Sequence, residues 1–236
     1  MVYRELSESE FIDLESRILY EDNHILIVNK NVGEITQGDK TGDECLAETY
    51  KAFIARRDSK PGQVYMGIPH RLDRPVSGIV ILAKTSKAME RLSEMFREGD
   101  VHKKYWALCC SKPEPECAYL ENWLIRNEKQ NKSFITEKQG GSAKLAKLKY
   151  RFIRSTDRYH LVEVELLTGR HHQIRCQLSG IGCPIKGDLK YGAPRSNPDG
   201  GICLHSHEVS FIHPVKKTEI HLVAPPPSSW KGVFGS

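Results

Sequence analysis

The polar segment His70-Arg71-Leu72-Asp73-Arg74 carries the residues best suited to chemistry. It precedes Ser77-Gly78 and a continuous apolar run, Ile79–Leu82, which is typical of a buried strand. The pattern places the carboxylate of Asp73 in a loop at the mouth of that strand, between two arginines. Nearby positive charge favours the ionised carboxylate, which can act as a nucleophile or a general base. A surface arginine–aspartate ion pair is the alternative interpretation.

A second polar segment, Gly169-Arg-His-His-Gln-Ile-Arg175, combines basic and amide side chains. The segment from Arg170 to Ser179 is predicted to form a helix that Gly180 stops, which places His172 and Arg175 on one face. Without other information, Arg175 is most simply a helix-surface arginine, because arginine is rarely buried unless it is paired. A glycine-rich stretch, Pro184-Ile-Lys-Gly-Asp-Leu-Lys-Tyr-Gly192, follows it.

Together these segments resemble the RluA-type pseudouridine synthases. That family's catalytic segment reads His-Arg-Leu-Asp-x-x-Thr-Ser-Gly, and its later segments read Gly-Arg-x-His-Gln-Ile-Arg and Pro-Ile-x-Gly-Asp-x-x-Tyr-Gly. The likeness runs from Ile18 to Ala224-Pro225, in the same order, over nearly the whole chain. It implies an isomerase that converts specific uridines of ribosomal or transfer RNA to pseudouridine. In that reaction the base leaves the ribose through N1, turns and rejoins it through C5.

The resemblance also implies roles for single residues. Asp73 matches the catalytic aspartate, and Arg175 matches a basic residue expected to pair with it. Tyr105 matches an active-site tyrosine that stacks on the target base. Whether Asp73 attacks the sugar, attacks the base or removes a sugar proton stays open.

Several further residues are expected to contact RNA. A base within a structured RNA must be flipped out to be reached, and Arg71 is expected to occupy the space it leaves, since a guanidinium stacks on bases. His70 is expected to shape the loop through hydrogen bonds. The full set of expected RNA-binding residues is His70, Arg71, Arg74, Arg170, His172 and Gln173. No cofactor or metal is expected to take part.

The sequence departs from the family pattern at three places. Val76 replaces a threonine in the catalytic loop, which leaves the loop geometry open. Asn31 stands where a proline commonly follows Asn-Lys, and Cys176-Gln177 replaces Val-His after Arg175. None of these changes alters Asp73 or Arg175, so activity is expected.

The composition is that of an ordinary globular protein. The 236 residues are 39% hydrophobic and 28% charged, with a formal net charge of +5. This mildly basic balance permits a nucleic-acid partner. Seven cysteines without a secretory segment predict reduced thiols and a cytoplasmic location. No apolar run is long enough to span a membrane, and we expect a monomer.

Charge is unevenly distributed along the chain. Residues 1–22 carry seven acidic and two basic side chains, whereas residues 126–158 carry ten basic and three acidic ones. In the basic segment, Lys147, Lys149 and Arg151 alternate with apolar residues at strand periodicity. Such a stripe could follow a phosphate backbone, but a solvated strand face is slightly favoured.

Two other function classes deserve comparison with an RNA isomerase. An RNA-binding module that lost the chemistry would also be basic, but the presence of Asp73, Tyr105 and Arg175 together favours an enzyme. Cys203, His205 and His207 could belong to a metal-dependent hydrolase. Their alternating spacing lacks the paired cysteines of structural zinc sites and needs further ligands.

The periodicity predicts an α+β chain with a mixed, mostly antiparallel sheet flanked by helices and loops. Strands are predicted around Ile18–Tyr20, His24–Val28 and Lys104–Cys110, and over the alternating segments near Tyr150 and Val164. The fold implied by the resemblance adds a central catalytic cleft. Residues 1–17 are predicted to form a short acidic tail, either helical or disordered, and residues 18–236 the catalytic domain. Residues 130–142 are predicted to form an exposed turn or hairpin tip.

Overall fold

The computed structural model describes residues 3–38, 42–60 and 62–230, which form four α-helices and ten β-strands. The chain divides into two compact units: unit 1 is Met1–Val101 with Ser210–Ala224, and unit 2 is His102–Val209 with Pro225–Ser236. In chain order the elements are α1 (Glu8–Ser16), β1 (Ile18–Glu21), β2 (Ile25–Lys30), α2 (Leu46–Arg57), β3 (Ser77–Ala83), α3 (Ser86–Glu98), β4 (His102–Cys109), β5 (Cys117–Asn127), β6 (Lys132–Thr136), β7 (Lys144–Ser155), β8 (His160–Leu166), α4 (Gln173–Gly180), β9 (Leu204–Ile212) and β10 (Glu219–Val223).

Unit 1 is built around the antiparallel strands β1, β2 and β3. Every residue of β3 is buried, in keeping with its continuous apolar sequence, because a strand covered on both faces needs no polar alternation. α2 contributes Tyr50 and Phe53 to the core. α3 is capped at its start by the Thr85 hydroxyl, which accepts from the Ala88 N–H, and ends at Gly99 in the left-handed conformation.

Near the start of the chain, Glu8–Ser16 form α1, which packs within unit 1. The Ser7 hydroxyl and the Glu10 carboxylate form a capping box at its start. The Phe11 ring stacks on Phe53 at 4.7 Å, and the Tyr50 hydroxyl donates to the Leu14 carbonyl at 3.1 Å. The acidic segment is therefore a docked helix, whereas the boundary drawn at residue 17 stays a prediction.

Unit 2 is an antiparallel sheet in the order β4-β8-β7-β5-β6, and the first part of β9 lies beside β4. α4 packs against β5 and β6. Leu124, Ala146, Cys176 and Tyr191 form one buried cluster there. These residues place α4 and the loop after it over one end of the sheet.

Two local predictions are wrong in unit 2. Residues 130–131 and 137–142 are exposed and lie outside the strands, as predicted, but Lys132–Thr136 form the strand β6, because all five residues pair with β5. The helix predicted from Arg170 begins only at Gln173, since His172 adopts a left-handed backbone with φ of 52° and acts as its N-cap. His172 therefore does not share a helix face with Arg175.

The α+β class and the mostly antiparallel sheet are confirmed. The pairs β1–β2, β2–β3, β4–β8, β8–β7, β7–β5 and β5–β6 are antiparallel, and an isolated bridge between Ile35 and Cys45 is parallel. Within the residues that the structure describes, no helix is both long and apolar enough to cross a bilayer.

Candidate active site

Asp73 lies in a loop of unit 1 that leads into β3. The loop starts at Gly67, which exchanges two backbone hydrogen bonds with Ala83 at 2.8 and 2.9 Å. Asp73 is half-buried, and its carbonyl accepts from the Val76 N–H at 3.0 Å in a tight turn. Gly78, with φ of 114°, takes the chain into the strand in a conformation that favours glycine. The predicted placement of Asp73 at a strand's mouth is correct.

Lys30, the last residue of β2, binds the backbone of this loop through its side chain. Its side chain is fully buried, and Nζ donates to the carbonyls of Asn31, Arg74 and Val76 at 2.9, 3.2 and 2.6 Å. Burial lowers the pKa of Lys30 to about 8, and the nearby charges of Glu34 and Asp73 oppose that shift. A buried ammonium thus fixes the turn on both sides of Pro75 and places positive charge near the Asp73 carboxylate.

Further contacts fix the loop before Asp73. The Thr36 hydroxyl donates to the Leu72 carbonyl at 3.0 Å and lies 3.2 Å from the Leu72 N–H, which donates to it. His70 Nε2 accepts from the Ile81 N–H at 2.9 Å, and its ring stacks on Phe96 at 4.4 Å. His70 therefore shapes the loop, as expected, and its contact with RNA stays a prediction.

The two arginines of the loop differ in their surroundings. Arg71 is exposed to solvent. Arg74 is also exposed and forms an ion pair with Asp43 at 2.7 Å. Arg74 therefore has a carboxylate partner from another segment of unit 1.

Two departures from the family pattern are explained by backbone contacts. Val76 is buried, and the loop uses its N–H and its carbonyl, so a side-chain hydroxyl is not needed to hold the turn. The Asn31 N–H donates to the Glu34 carboxylate at 2.9 Å, a bond that proline cannot make.

Unit 2 carries the other two residues predicted to be catalytic. Tyr105 lies near the start of β4, opposite Val164 of β8, and is almost fully buried. Arg175 lies in the first turn of α4 and is 5% exposed. The predicted pairing of Arg175 with Asp73 stays a prediction.

Arg175 has a partner that the sequence reasoning did not identify. Its Nε donates to Asp188 Oδ2 at 2.7 Å and an Nη donates to Oδ1 at 2.9 Å. Asp188 follows Gly187 in the segment 184–192. It is the one acidic residue of that motif, and this is the feature of the sequence that could have indicated a partner for Arg175. The bidentate geometry fixes the plane of the guanidinium.

Tyr191 links Arg175 to its surroundings. The ring centre lies 5.1 Å from Arg175 Cζ. The hydroxyl accepts from the Ser133 N–H at 2.8 Å and lies 3.2 Å from the Ser133 carbonyl and 3.1 Å from His172 Nδ1. Burial, reinforced by the charge of Arg175, lowers the pKa of His172 to about 2, so the imidazole is neutral.

The remaining predicted RNA-binding residues lie beside α4. Arg170 is exposed, and its Nε donates to the Leu145 carbonyl at 2.8 Å. Gln173 is buried, and its amide binds the Thr168 hydroxyl, the Arg170 N–H and the Lys147 carbonyl. Gln173 thus holds the entry to α4, and its contact with RNA stays a prediction.

The third departure from the family pattern lies inside α4. The Cys176 thiol donates to the Ser133 carbonyl at 3.3 Å, and Gln177 Nε2 donates to Asn122 Oδ1 at 2.7 Å. Both side chains tie α4 to the sheet.

The basic stripe of β7 is neutralised across the sheet. Lys147 pairs with Glu121 at 3.1 Å, Lys149 with Glu165 at 3.4 Å and Arg151 with Glu163 at 2.9 Å. The strand registers place each pair directly opposite. The stripe therefore forms a solvated face of ion pairs, which was the favoured interpretation.

The residues considered for a metal site have other neighbours. The His207 ring stacks on Trp106 at 3.6 Å, His205 lies edge-on to Trp230 at 6.1 Å, and Cys203 Sγ lies 3.8 Å from Lys186 Nζ. Throughout the described ranges, no group of three or more His, Cys, Asp or Glu side chains is arranged to hold a metal ion.

Comparison with known proteins decides which family this architecture represents. Residues 24–180 match the family model described as RNA pseudouridylate synthase. The chain belongs to this family. The synthase is 33% identical over 221 residues to the ribosomal large subunit pseudouridine synthase C of Vibrio cholerae, covering 90% of this chain and 67% of that protein. It is 30% identical to the mitochondrial pseudouridylate synthase RPUSD4 of Xenopus tropicalis, covering 93% and 79%.

Solved structures agree on the fold of the synthase. The human RNA pseudouridylate synthase domain containing 4 superimposes with a TM-score of 0.77 at 24% identity, covering 93% of this chain and 92% of that one. The human RNA pseudouridylate synthase domain containing 1 gives a TM-score of 0.68. The protein is thus an isomerase that converts uridine to pseudouridine in RNA, as the RluA-type resemblance predicts.

Proposed function

We propose that the enzyme modifies uridine in large-subunit ribosomal RNA and that Asp73 is its catalytic residue. The ribosomal assignment is supported by similarity to proteins named ribosomal large subunit pseudouridine synthase C. The observation that carries the role of Asp73 is the way its loop is held. Lys30 donates to the carbonyls of Arg74 and Val76, directly after Asp73, so a single carboxylate is presented from a rigid turn.

The chemistry needs an ionised carboxylate that acts and is then regenerated. Asp73 either attacks the sugar or the base as a nucleophile, or takes a sugar proton and returns it. Lys30 places a buried positive charge near this carboxylate. In this proposal Arg175 contributes a fixed positive charge to the same reaction, and Tyr105 supplies an aromatic face for the base.

RNA binding is proposed to use the exposed arginines of both units. Arg71 and Arg170 are exposed, and a guanidinium binds phosphate and stacks on bases. We also propose that the enzyme works as a monomer in a reducing compartment such as the cytoplasm. All seven cysteines are free thiols and most are buried, which supports a setting that keeps them reduced.

Mapping pseudouridine in total RNA from cells with and without the gene tests this proposal. We expect one or a few sites in large-subunit ribosomal RNA to disappear with the gene and to return with the wild-type protein. Return of the sites with the Asp73→Asn protein would contradict the assignment of Asp73 as the catalytic residue. Sites lost from transfer RNA alone would contradict the ribosomal assignment.

A further inference from the structure

The guanidinium of Arg175 in unit 2 is buried and held by other side chains, unlike that of a surface arginine. Two of the five N–H groups of its guanidinium bind the two oxygens of one carboxylate, at 2.7 and 2.9 Å. Both side chains are almost completely buried, with 6% of Arg175 and 1% of Asp188 exposed. This side-on contact fixes one edge of the guanidinium.

Asp188 is itself held rigidly by its backbone. Its N–H donates to the Ile185 carbonyl at 3.0 Å, and its own carbonyl accepts from the N–H groups of Tyr191 and Ala193, both at 3.0 Å. The preceding residue, Gly187, has φ of 89°, and a Cβ there would lie 2.7 Å from the Gly201 carbonyl oxygen. These backbone hydrogen bonds and the close packing at Gly187 therefore fix the position of the Asp188 carboxylate.

Tyr191 constrains the guanidinium from a second direction. Its ring centre lies 5.1 Å from Arg175 Cζ, within the range of a cation–π contact. The ring is held in place by its packing in the buried cluster with Leu124, Ala146 and Cys176. Its hydroxyl also accepts from the Ser133 N–H and lies beside His172 Nδ1. Arg175 is thus limited along one edge by Asp188 and across its face by Tyr191.

Stability alone is a poor reason for this arrangement. Burying an arginine and a carboxylate carries a desolvation cost that often cancels their attraction, so apolar residues of similar size would serve the core as well. What the pair does provide is a single orientation for a side chain that otherwise has many rotamers. An arginine that must meet charge developing in a reaction benefits from being held in advance.

We propose that Asp188 and Tyr191 are the positioning residues of Arg175: they act on the reaction only through the orientation of its guanidinium. The inference rests on the proposed role of Arg175 in the reaction. In this role, Asp188 and Tyr191 of the segment 184–192 hold Arg175 in place. Neither residue is proposed to contact the RNA or to take part in the chemistry.

Four single variants test the inference on an RNA that the wild-type enzyme modifies. Asp188→Asn keeps the shape but removes the charge, and we expect the single-turnover rate at saturating RNA to fall at least thirtyfold while RNA affinity changes less than threefold. Tyr191→Leu should slow the reaction at least tenfold. Tyr191→Phe keeps the ring over the guanidinium and should stay within threefold of wild type at saturating RNA. Arg175→Met reports separately whether Arg175 matters at all.

A double variant decides whether Asp188 acts through Arg175. Asp188→Asn alone leaves a buried guanidinium without its carboxylate and can fail to fold, whereas Arg175→Met with Asp188→Asn removes both charges together. We expect the residual rate of the double variant to equal that of Arg175→Met within twofold. A further tenfold loss would show an independent role for Asp188 and overturn the inference.

The failure of the inference can be told apart from failure of the proposed function. Normal activity in Arg175→Met would show that Arg175 has no role in the reaction. It would therefore also contradict the positioning role of Asp188 and Tyr191. An inactive Arg175→Met beside a folded Asp188→Asn of wild-type rate would overturn the positioning role alone. An equal loss of rate in Tyr191→Phe and Tyr191→Leu would show that the hydroxyl matters instead of the ring, and would remove Tyr191 from the proposal.

Discussion

The two units hold their proposed catalytic residues in different ways. In unit 1, the loop of Asp73 is gripped through its backbone: Lys30 and Thr36 bind carbonyl groups on both sides of Asp73. In unit 2, Arg175 is gripped through its own guanidinium, by the carboxylate of Asp188 and the ring of Tyr191. The first arrangement positions a segment of chain, and the second positions one functional group.

This difference predicts which amino-acid substitutions are tolerated in the Asp73 loop and which are tolerated around Arg175. Backbone contacts do not depend on the side chains of the loop, so Val76 replaces the family's threonine without removing the hydrogen bonds that hold the turn. Side-chain contacts require complementary partners. Arg175, Asp188 and Tyr191 are therefore expected to change together or not at all.

Among the residues that hold the two proposed catalytic groups in place, the largest effect is expected from Lys30→Met, which removes the donor shared by three carbonyl groups. The turn should lose its fixed geometry, and the single-turnover rate should fall at least a hundredfold, about 2.7 kcal/mol of activation free energy. Lys84→Met is the matched control: Lys84 is a largely buried lysine of unit 1 whose Nζ binds Glu21 at 2.6 Å. A Lys30→Met enzyme within threefold of the control would show that the grip on the backbone does not position Asp73.

The next effect concerns the buried imidazole of unit 2. Because the pKa of His172 is lowered to about 2 in the folded protein, against about 6.5 when unfolded, the unfolded state binds more protons between these values. Stability should therefore fall as the pH drops below 6.5, by about 2 kcal/mol between pH 7 and pH 5.

His172→Asn should lack this part of the pH dependence, since asparagine does not titrate and tolerates a left-handed backbone. Urea unfolding of both proteins at pH 7, 6 and 5 measures the difference, and the other histidines contribute equally to both. Parallel stability curves would show that His172 is not kept neutral by its surroundings.

A smaller effect separates two roles of Tyr105. If its ring stacks on the base, RNA affinity should be retained in Tyr105→Phe and should fall by about 1–3 kcal/mol in Tyr105→Ala. Normal binding without turnover in the phenylalanine variant would instead assign proton transfer to the hydroxyl. Unchanged binding and turnover in the alanine variant would remove Tyr105 from the site. Equilibrium binding and single-turnover rates of both variants provide the comparison.

Local signals in the sequence predict much of unit 1. The apolar run before Lys84 predicts the buried strand β3, and Thr85 and Gly99 mark both ends of α3. Asp73 is predicted at a strand's mouth because both the apolar run and the polar segment are short-range patterns. The role of Lys30 is not predicted, since nothing local indicates that a lysine after an apolar run turns inward to bind three carbonyls.

Unit 2 shows where such signals fail. β6 contains Phe134, Ile135 and Thr136, residue types that favour strands, but the polar and glycine residues on both sides of it indicate a turn. Its pairing with β5 shows that it is a strand. The start of α4 is misplaced because a left-handed histidine is rare and leaves no mark in the sequence. Asp188 pairs with a residue on a different element, and such a contact follows from the tertiary fold instead of from spacing.

The most direct test of the central claim is the rate of pseudouridine formation by Asp73→Asn. The substitution keeps the shape of the side chain and the backbone contacts of the loop, but it removes the charge that the reaction uses. With RNA from cells that lack the gene as substrate, we predict RNA affinity within threefold of wild type and no measurable product in a single turnover. A rate above about one tenth of wild type, a loss of less than ~1.4 kcal/mol, would contradict the assignment of Asp73 as the catalytic group.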